Sequence, residues 1–336
     1  MNSTAIRNSS TMAECGICAN TKDNTPYRVW EMQLGARQAF DYFQCGQCGC
    51  LQIVRPPDNL ADYYPSGYFS FRDQQKLARH PLRAWLDRAR VRNALQAGGS
   101  LLGALADRFA KPLDYPAWLA LTGKGIEARV LDVGCGSGKL LLRMRLGGVA
   151  HCTGIDPFLA EDLHYPNGLR IHKQALGERL GEFDLIMFHH AFEHMDRPHE
   201  VLAQTVRLLA PAGIVLIRVP LADSEAWERY REHWCNLDAP RHLYLHTRAS
   251  LEHLARRAGL EIFATFRDST PSQFIISELY RRNIPGSAGV KPESVLEPGQ
   301  LAEFRALTER LNREGRGDMG GFFFRRPRST TAAPPA

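Results

Sequence analysis

Val130-Leu131-Asp132-Val133-Gly134-Cys135-Gly136-Ser137-Gly138-Lys139, followed by Leu140-Leu141-Leu142, is the stretch on which the fold turns. An apolar strand runs into a glycine-rich turn and then into a helix. Glycine is needed where backbone adopts unusual dihedrals and lies close against a ligand. The helix start beyond it offers unpaired amides and a positive dipole end. The glycines fall at alternate positions, 134, 136 and 138. A dinucleotide fingerprint, G-x-G-x-x-G, would place its third glycine at Lys139, so that ligand class is set aside. Asp132, two residues before the turn, suits a ligand bearing a cation and would repel a pyrophosphate. Twenty-four residues further on, Gly154-Ile155-Asp156-Pro157 closes a second strand, and a carboxylate at that tip suits the hydroxyls of a ribose.

Outward from this stretch, strand and helix patterns alternate, which predicts an α/β fold with a doubly wound, mostly parallel sheet. The expected strands are Arg129–Val133, Cys152–Ile155, Leu169–His172, Phe183–Phe188, Ile214–Val219, Leu260–Phe266 and Gly320–Arg325. Helices are expected at His199–Leu209, ended by the breakers Pro211 and Gly213, and at Ser250–Ala258, closed by Gly259. This sheet domain is placed at 126–327, with a helical insertion at about 270–317. Before it come a tail at 1–13, a cysteine-rich unit at 14–70 with strand-like pieces Tyr27–Met32 and Gln38–Phe43, and a basic helical segment at 71–125. A second tail is expected at 328–336.

Val130–Gly138 together with Asp156 resembles the first two motifs of class I S-adenosylmethionine-dependent methyltransferases. The resemblance implies a seven-stranded sheet and S-adenosylmethionine as cofactor. It places Asp132 and the loop Gly134, Cys135, Gly136 and Gly138 against the methionine part, and Asp156 and Pro157 against the ribose. Phe158 and Ala175 would edge the adenine. His189, at the tip of the fourth strand, joins this set.

That strand delivers His189-His190-Ala191-Phe192-Glu193-His194-Met195-Asp196 to the crevice beyond the carboxyl ends of the strands, where open parallel sheets bind ligands. With Leu208–Gly213, it resembles the later motifs of quinone-biosynthesis O-methyltransferases. A second cluster, Trp234–Thr247, holds His242, Tyr244 and His246 and resembles a segment of bacterial sugar methyltransferases. Matched by position, His242 would be the base and Tyr244 its neighbour, with His194, His190 and Glu193 as further catalytic candidates. A sulfonium methyl is already electrophilic, so a hydroxyl acceptor needs positioning and loss of its proton. Histidine suits that task near neutrality.

Cys15-Gly16-Ile17-Cys18 and Cys45-Gly46-Gln47-Cys48 form two C-x-x-C knuckles with 26 residues between them. Four thiolates at this spacing match a tetrahedral structural zinc site of zinc-ribbon type. Cys50 competes with Cys48 for the fourth position, and Cys135, Cys152 and Cys235 read as buried thiols. Lys76–Arg92 sets six basic residues against Asp87 alone, with Leu82, Trp85, Leu86 and Ala89 on one helical face. Such a helix serves RNA phosphates, an anionic membrane surface or plain docking.

Net charge is +6 and 44% of residues are apolar, which is ordinary globular composition. Without an apolar run of membrane length or a signal core, the chain reads as cytoplasmic, and eight cysteines then point to metal rather than disulfides. The expected partner is a small-molecule acceptor, a saccharide, lipid-linked or not, or a quinone-like ring, with methyl transfer to a hydroxyl or a carbon. Two rivals stand: a zinc-containing RNA methyltransferase, against which the cysteine unit's weak charge counts, and a non-catalytic cofactor-binding scaffold. Oligomeric state is left open.

Overall fold

A computed structural model describes residues 13–64, 74, 81–95, 113–177 and 180–328. The expected tails, except Ala13 and Arg328, and Tyr68, Phe69, Lys76 and Arg79 lie outside the described residues.

The chain opens with β1 (Thr25–Trp30), β2 (Ala39–Gln44) and β3 (Leu51–Ile53), followed by α1 (Pro81–Leu95) and α2 (Tyr115–Leu121). Then come β4 (Arg129–Val133), α3 (Lys139–Leu146), β5 (His151–Ile155), β6 (Leu163–His164), β7 (Arg170–His172) and β8 (Phe183–His189). Next are α4 (Pro198–Leu208), β9 (Leu209–Pro220), α5 (Glu225–Tyr230), β10 (Tyr244–Leu245), α6 (Arg248–Arg257) and β11 (Glu261–Arg267). The chain closes through α7 (Ser272–Arg281), α8 (Gln300–Arg313) and β12 (Met319–Arg325).

The large sheet runs β11-β12-β9-β8-β4-β5-β7-β6. Strands β4, β5, β7, β8 and β9 pair in parallel, and β12 is antiparallel to both β9 and β11. Seven of the eight are the expected strands; the eighth, β6, is a two-residue antiparallel edge on β7. Alternation along the central strands explains why both faces are covered. Leu131, Val133, Ile186, Phe188, Val215, Ile217 and Val219 enter one core. Val130, Leu185, Met187, Ile214 and Leu216 enter the other, with Tyr115 and Trp118 of α2 and Leu141, Leu142 and Met144 of α3.

Two expectations are corrected. The helix before the fifth parallel strand stops at Leu208, because Leu209 already pairs with Phe183; β9 is twelve residues long and contains Pro211 and Gly213, with a register shift beside them. Proline is tolerated there because a bulge needs no ladder donor at that point. On α1, Leu82 is 62% and Trp85 52% exposed, while Asp87, Ala89, Arg90 and Val91 are buried against α2 and α3. Finally, the cysteine-rich unit is not closed on itself. Its sheet has the order β1-β2-β3-β10, and the last strand comes some 190 residues later.

That small sheet adds Phe43, Cys45 and Cys48 to the same core as Leu131 and Phe188. Its other face packs Tyr42, Leu51 and Ile53 with Trp227, Trp234, Phe274 and Phe304 of α5, α7, α8 and the segment between. The insertion expected at 270–317 is helical as read, and it braces the β1–β2 hairpin through Gly286 N–H to the Met32 carbonyl and Ser287 N–H to the Gln33 carbonyl.

Candidate functional site

The carboxyl ends of β4, β5, β7, β8 and β9 open on one edge, where two constellations meet. The first is the turn from β4 to α3. Gly134, Gly136 and Gly138 all have positive φ, 73°, 55° and 72°. Gly134 N–H donates to the Ile155 carbonyl at 2.8 Å, and a Cβ there would stand 2.6 Å from that of Ala191. Gly136 N–H donates to Asp156 Oδ2 at 2.9 Å, and Phe158 N–H donates to Asp156 Oδ1 at 2.9 Å. The second-strand carboxylate is thus locked at the rim by the turn it serves, keeping further lone pairs free. Phe158 is 77% exposed beside it, parallel to Tyr64 at 6.2 Å between ring centres. Pro157 and Ala175 are exposed on the same rim.

Asp132 lies beneath this turn, 3% exposed, and its Oδ1 has no hydrogen-bond partner among the described residues. Burial, aided by Asp156, pushes its carboxyl up to about 8. An orphaned buried carboxylate oxygen beside a glycine cradle fits a ligand that brings a cation.

The second constellation joins the loop after β8 to the segment before β10. The Leu243 N–H donates to the Glu193 carbonyl at 2.8 Å, tying the two together. Glu193 is fully buried, and among the described residues neither carboxylate oxygen has a hydrogen-bond partner. His242 Nε2 stands 3.9 Å from Glu193 Oε1 and 3.7 Å from Asp238 Oδ2; His190 Nδ1 stands 3.7 Å from Glu193 Oε1. His194 and His242 meet edge to face at 4.8 Å. His242 Nδ1 donates to the Asn236 carbonyl at 2.7 Å, and His194 Nδ1 donates to the Arg241 carbonyl at 2.8 Å. A carbonyl only accepts, so both rings carry their Nδ1 proton and present Nε2 as the free lone pair.

Burial pushes Glu193 up, but the neighbouring imidazoles of His190, His194 and His242 outweigh it and hold the carboxyl at about 2. Burial, then His242, lowers His194. Despite burial, His242 and Arg241 hold Asp238 down. One donor atom from each of Glu193, His194 and His242 lies within 4.8 Å of the others, a spacing that also suits a cation.

The sequence model of a family described as a methyltransferase domain matches residues 72–265. The chain belongs to the class I S-adenosylmethionine-dependent methyltransferases. A ubiquinone biosynthesis O-methyltransferase of Dechloromonas aromatica is 36% identical over 110 residues, 30% of this chain and 45% of that one. One from Maricaulis maris is 35% identical over 100 residues, 26% and 39% of the two chains. The chain thus spans under half the length of these curated relatives. Among solved structures, Burkholderia thailandensis 1,6-didemethyltoxoflavin N1-methyltransferase aligns with a TM-score of 0.40 at 18% identity, over 84% of this chain and 96% of that one. A SAM-dependent methyltransferase of Archaeoglobus fulgidus gives 0.40 at 17%, over 62% and 90%.

This methyltransferase brings the sequence-expected residues to one edge, with one exception. Tyr244 does not join His242: its hydroxyl donates to the Asp196 carbonyl at 3.4 Å and its ring stacks on His246. Strand β10 pairs with β3, which turns that side chain toward the knuckle at Gly16. His189 ends β8 half-buried against Trp118, and burial with Arg218 and His190 lowers it to about 3, so it is a neutral wall of the crevice. Asp238 and Arg241 lie within the cluster Trp234–Thr247 marked in the sequence, whereas nothing there marked Tyr42, which donates to the His242 carbonyl at 2.8 Å.

The cysteines meet as four. Cys15 Sγ is 3.7 Å from Cys48 Sγ, Cys18 Sγ is 3.5 Å from Cys45 Sγ, and all four lie within 4.8 Å of one another. A tetrahedron with metal–sulfur bonds of about 2.3 Å has edges of about 3.8 Å, so the donor set fits zinc. The Cys48 thiol, and then the backbone N–H groups of Cys18 and Ile17, lower Cys15 to about 4 against burial, with Cys48 raised in turn. Cys50 is fully buried, and its thiol donates to the Leu51 carbonyl at 3.8 Å, outside the set of four. No described helix is long and apolar enough to cross a membrane.

Proposed function

We propose that this methyltransferase moves a methyl group from S-adenosylmethionine to a hydroxyl of a small-molecule acceptor, a quinone-like ring or a saccharide, with His242 taking the proton. The observation that carries the reading is the fully buried Glu193 with both oxygens unpartnered, facing His242 Nε2 beside the glycine cradle. The cofactor supplies an electrophilic methyl on a sulfonium; Asp132, the 134–138 turn and Asp156 hold it. The acceptor oxygen gains the methyl as its proton passes to His242 Nε2. The resulting imidazolium faces Glu193 and Asp238, whose negative charge stabilises it, an assistance worth about 10²–10⁴-fold. Ubiquinone-type relatives favour an oxygen on a quinone-like ring; the resemblance of Trp234–Thr247 to sugar enzymes favours a saccharide.

Transfer of labelled methyl to a panel of catechols, phenols and sugars tests the acceptor class. His242→Ala should cut turnover at least tenfold and leave cofactor affinity nearly intact. Equal turnover in that variant would remove His242 from the chemistry. We also assign a structural zinc ion to Cys15, Cys18, Cys45 and Cys48; less than half an equivalent in freshly purified protein would contradict it.

A second reading has its own observation: the donor atoms of Glu193, His194 and His242 suit a divalent cation that polarises the acceptor hydroxyl. A second bound metal equivalent, lost in His194→Ala together with turnover, would favour it over a free base. An RNA acceptor would instead reveal itself by steep loss of binding between about 50 and 200 mM salt.

A further inference from the structure

We propose that the N-terminal cysteine module is a positioning device for His242, so that the metal held by four distant thiolates sets where the imidazole stands in the acceptor crevice. The proposal rests on the reading of His242 as the residue that serves the acceptor.

The module holds segment 242–247 from one side at several points. The Tyr42 hydroxyl, fully buried, donates to the His242 carbonyl at 2.8 Å. The Ile53 N–H donates to the Leu243 carbonyl at 3.1 Å. Tyr244 pairs with Gln52 and Leu245 with Leu51. The Thr247 hydroxyl donates to the carbonyl of Cys48, itself one of the four thiol residues, at 2.5 Å. From the large sheet's side, Leu243 N–H donates to the Glu193 carbonyl, Ala222 N–H donates to the His246 carbonyl, and Leu221 forms a parallel bridge with His246.

The grip on this segment originates at the knuckles. Cys45-Gly46-Gln47-Cys48 leads through Cys50 directly into β3, the strand that β10 joins. Gln52, opposite Tyr244, donates through its amide to Cys15 Sγ at 3.1 Å and accepts from the Gly16 N–H at 2.8 Å. One side chain thus links the first knuckle to the strand that holds the histidine segment. A two-residue strand has no stability of its own, so β10 stays ordered only as long as its partner does. Strand β3, three residues long, depends in turn on the knuckle before it, whose folding energy comes largely from metal ligation.

The test uses the full chain in three arms. Chelation of the metal should raise amide exchange across Leu243–Leu245 at least tenfold and abolish turnover, while cofactor affinity changes less than threefold. Tyr42→Phe, which keeps the ring and removes one donor, should lower kcat several-fold with cofactor affinity and zinc content unchanged. Thr247→Val provides a second variant with the same expectation should Tyr42→Phe fail to fold. Unchanged exchange and kcat after metal removal would overturn the proposal. So would loss of cofactor affinity in step with kcat, which would make the metal a prop for the whole fold. His242→Ala is the third arm. If it turns over normally, the reading of His242 as base falls, while the exchange measurement still decides whether the module positions the segment.

Discussion

Asp132 is held in a state that its ligand must change. Its carboxyl, raised to about 8 by burial and by Asp156, is protonated at pH 7 before the cofactor arrives. An ammonium group docking at its unpartnered oxygen would displace that proton. Cofactor binding at pH 7 should therefore release close to one proton, and affinity should climb as pH rises toward 8. Calorimetry in two buffers of different ionisation enthalpy measures the release; identical heats would separate the ammonium from Asp132. Asp132→Asn should weaken the cofactor roughly tenfold, the scale of one charge-assisted hydrogen bond. His242 belongs to the same scale, because its tautomer is set by one carbonyl, that of Asn236.

At the scale of elements, the β4–α3 turn tolerates little change. Gly134→Ala would place a Cβ 2.6 Å from that of Ala191 and impose a left-handed backbone on a residue that resists it by about 1–2 kcal/mol. The melting temperature should fall by about 4 °C or more and cofactor binding should be lost, both readable in one thermal-shift titration. A variant that melts and binds as the parent does would mean the turn has room to relax. This turn was also the most legible part of the sequence. β4 runs over the expected Arg129–Val133, because a buried parallel strand flanked by a glycine turn carries its own boundaries. The carboxyl end of the fourth strand was equally readable, since ionisable residues directly after an apolar run mark a crevice. Strand β10 was not, because Tyr244 and Leu245 show no period of their own and are a strand only by pairing with β3. On α1, Asp87 and Arg90 bury through each other while Leu82 and Trp85 stay exposed, an arrangement that the spacing of apolar residues alone does not reveal. Tyr42 resembled any alternating strand residue, and its link to His242 exists only across 200 residues of chain.

At the scale of the whole molecule, stability should depend on pH from both sides. Burial holds His189 at about 3 and His246 at about 4, below the usual value of 6.5. Below about pH 6.5 the unfolded chain binds protons that these folded rings refuse, so stability falls on acidification by up to about 1.4 kcal/mol per pH unit per group. Asp132 acts in the opposite direction: the fold keeps a proton that the unfolded chain sheds between 3.8 and about 8, so stability falls as pH rises through that window. Two histidines against one carboxyl leave a net loss on the acid side; from about 6.5 to 8 Asp132 lowers stability with rising pH, while Cys15, held at about 4 in the fold, raises it. Asp132→Asn should therefore make the gain in melting temperature from pH 5 to 8 steeper than in the parent. Equal slopes in the two proteins would refute the part given to Asp132.

The borrowed strand β10 also limits how the protein could be recombined. An exchange of residues 1–64 with those of another protein would leave residues 242–247 facing a foreign β3, with Leu51–Ile53 no longer their partner. A working chimera would have to transfer that hexapeptide along with the first sixty-four residues, as two inserts from one donor. Grafting the amino-terminal piece alone should yield a protein that folds its large sheet and has lost its acceptor chemistry.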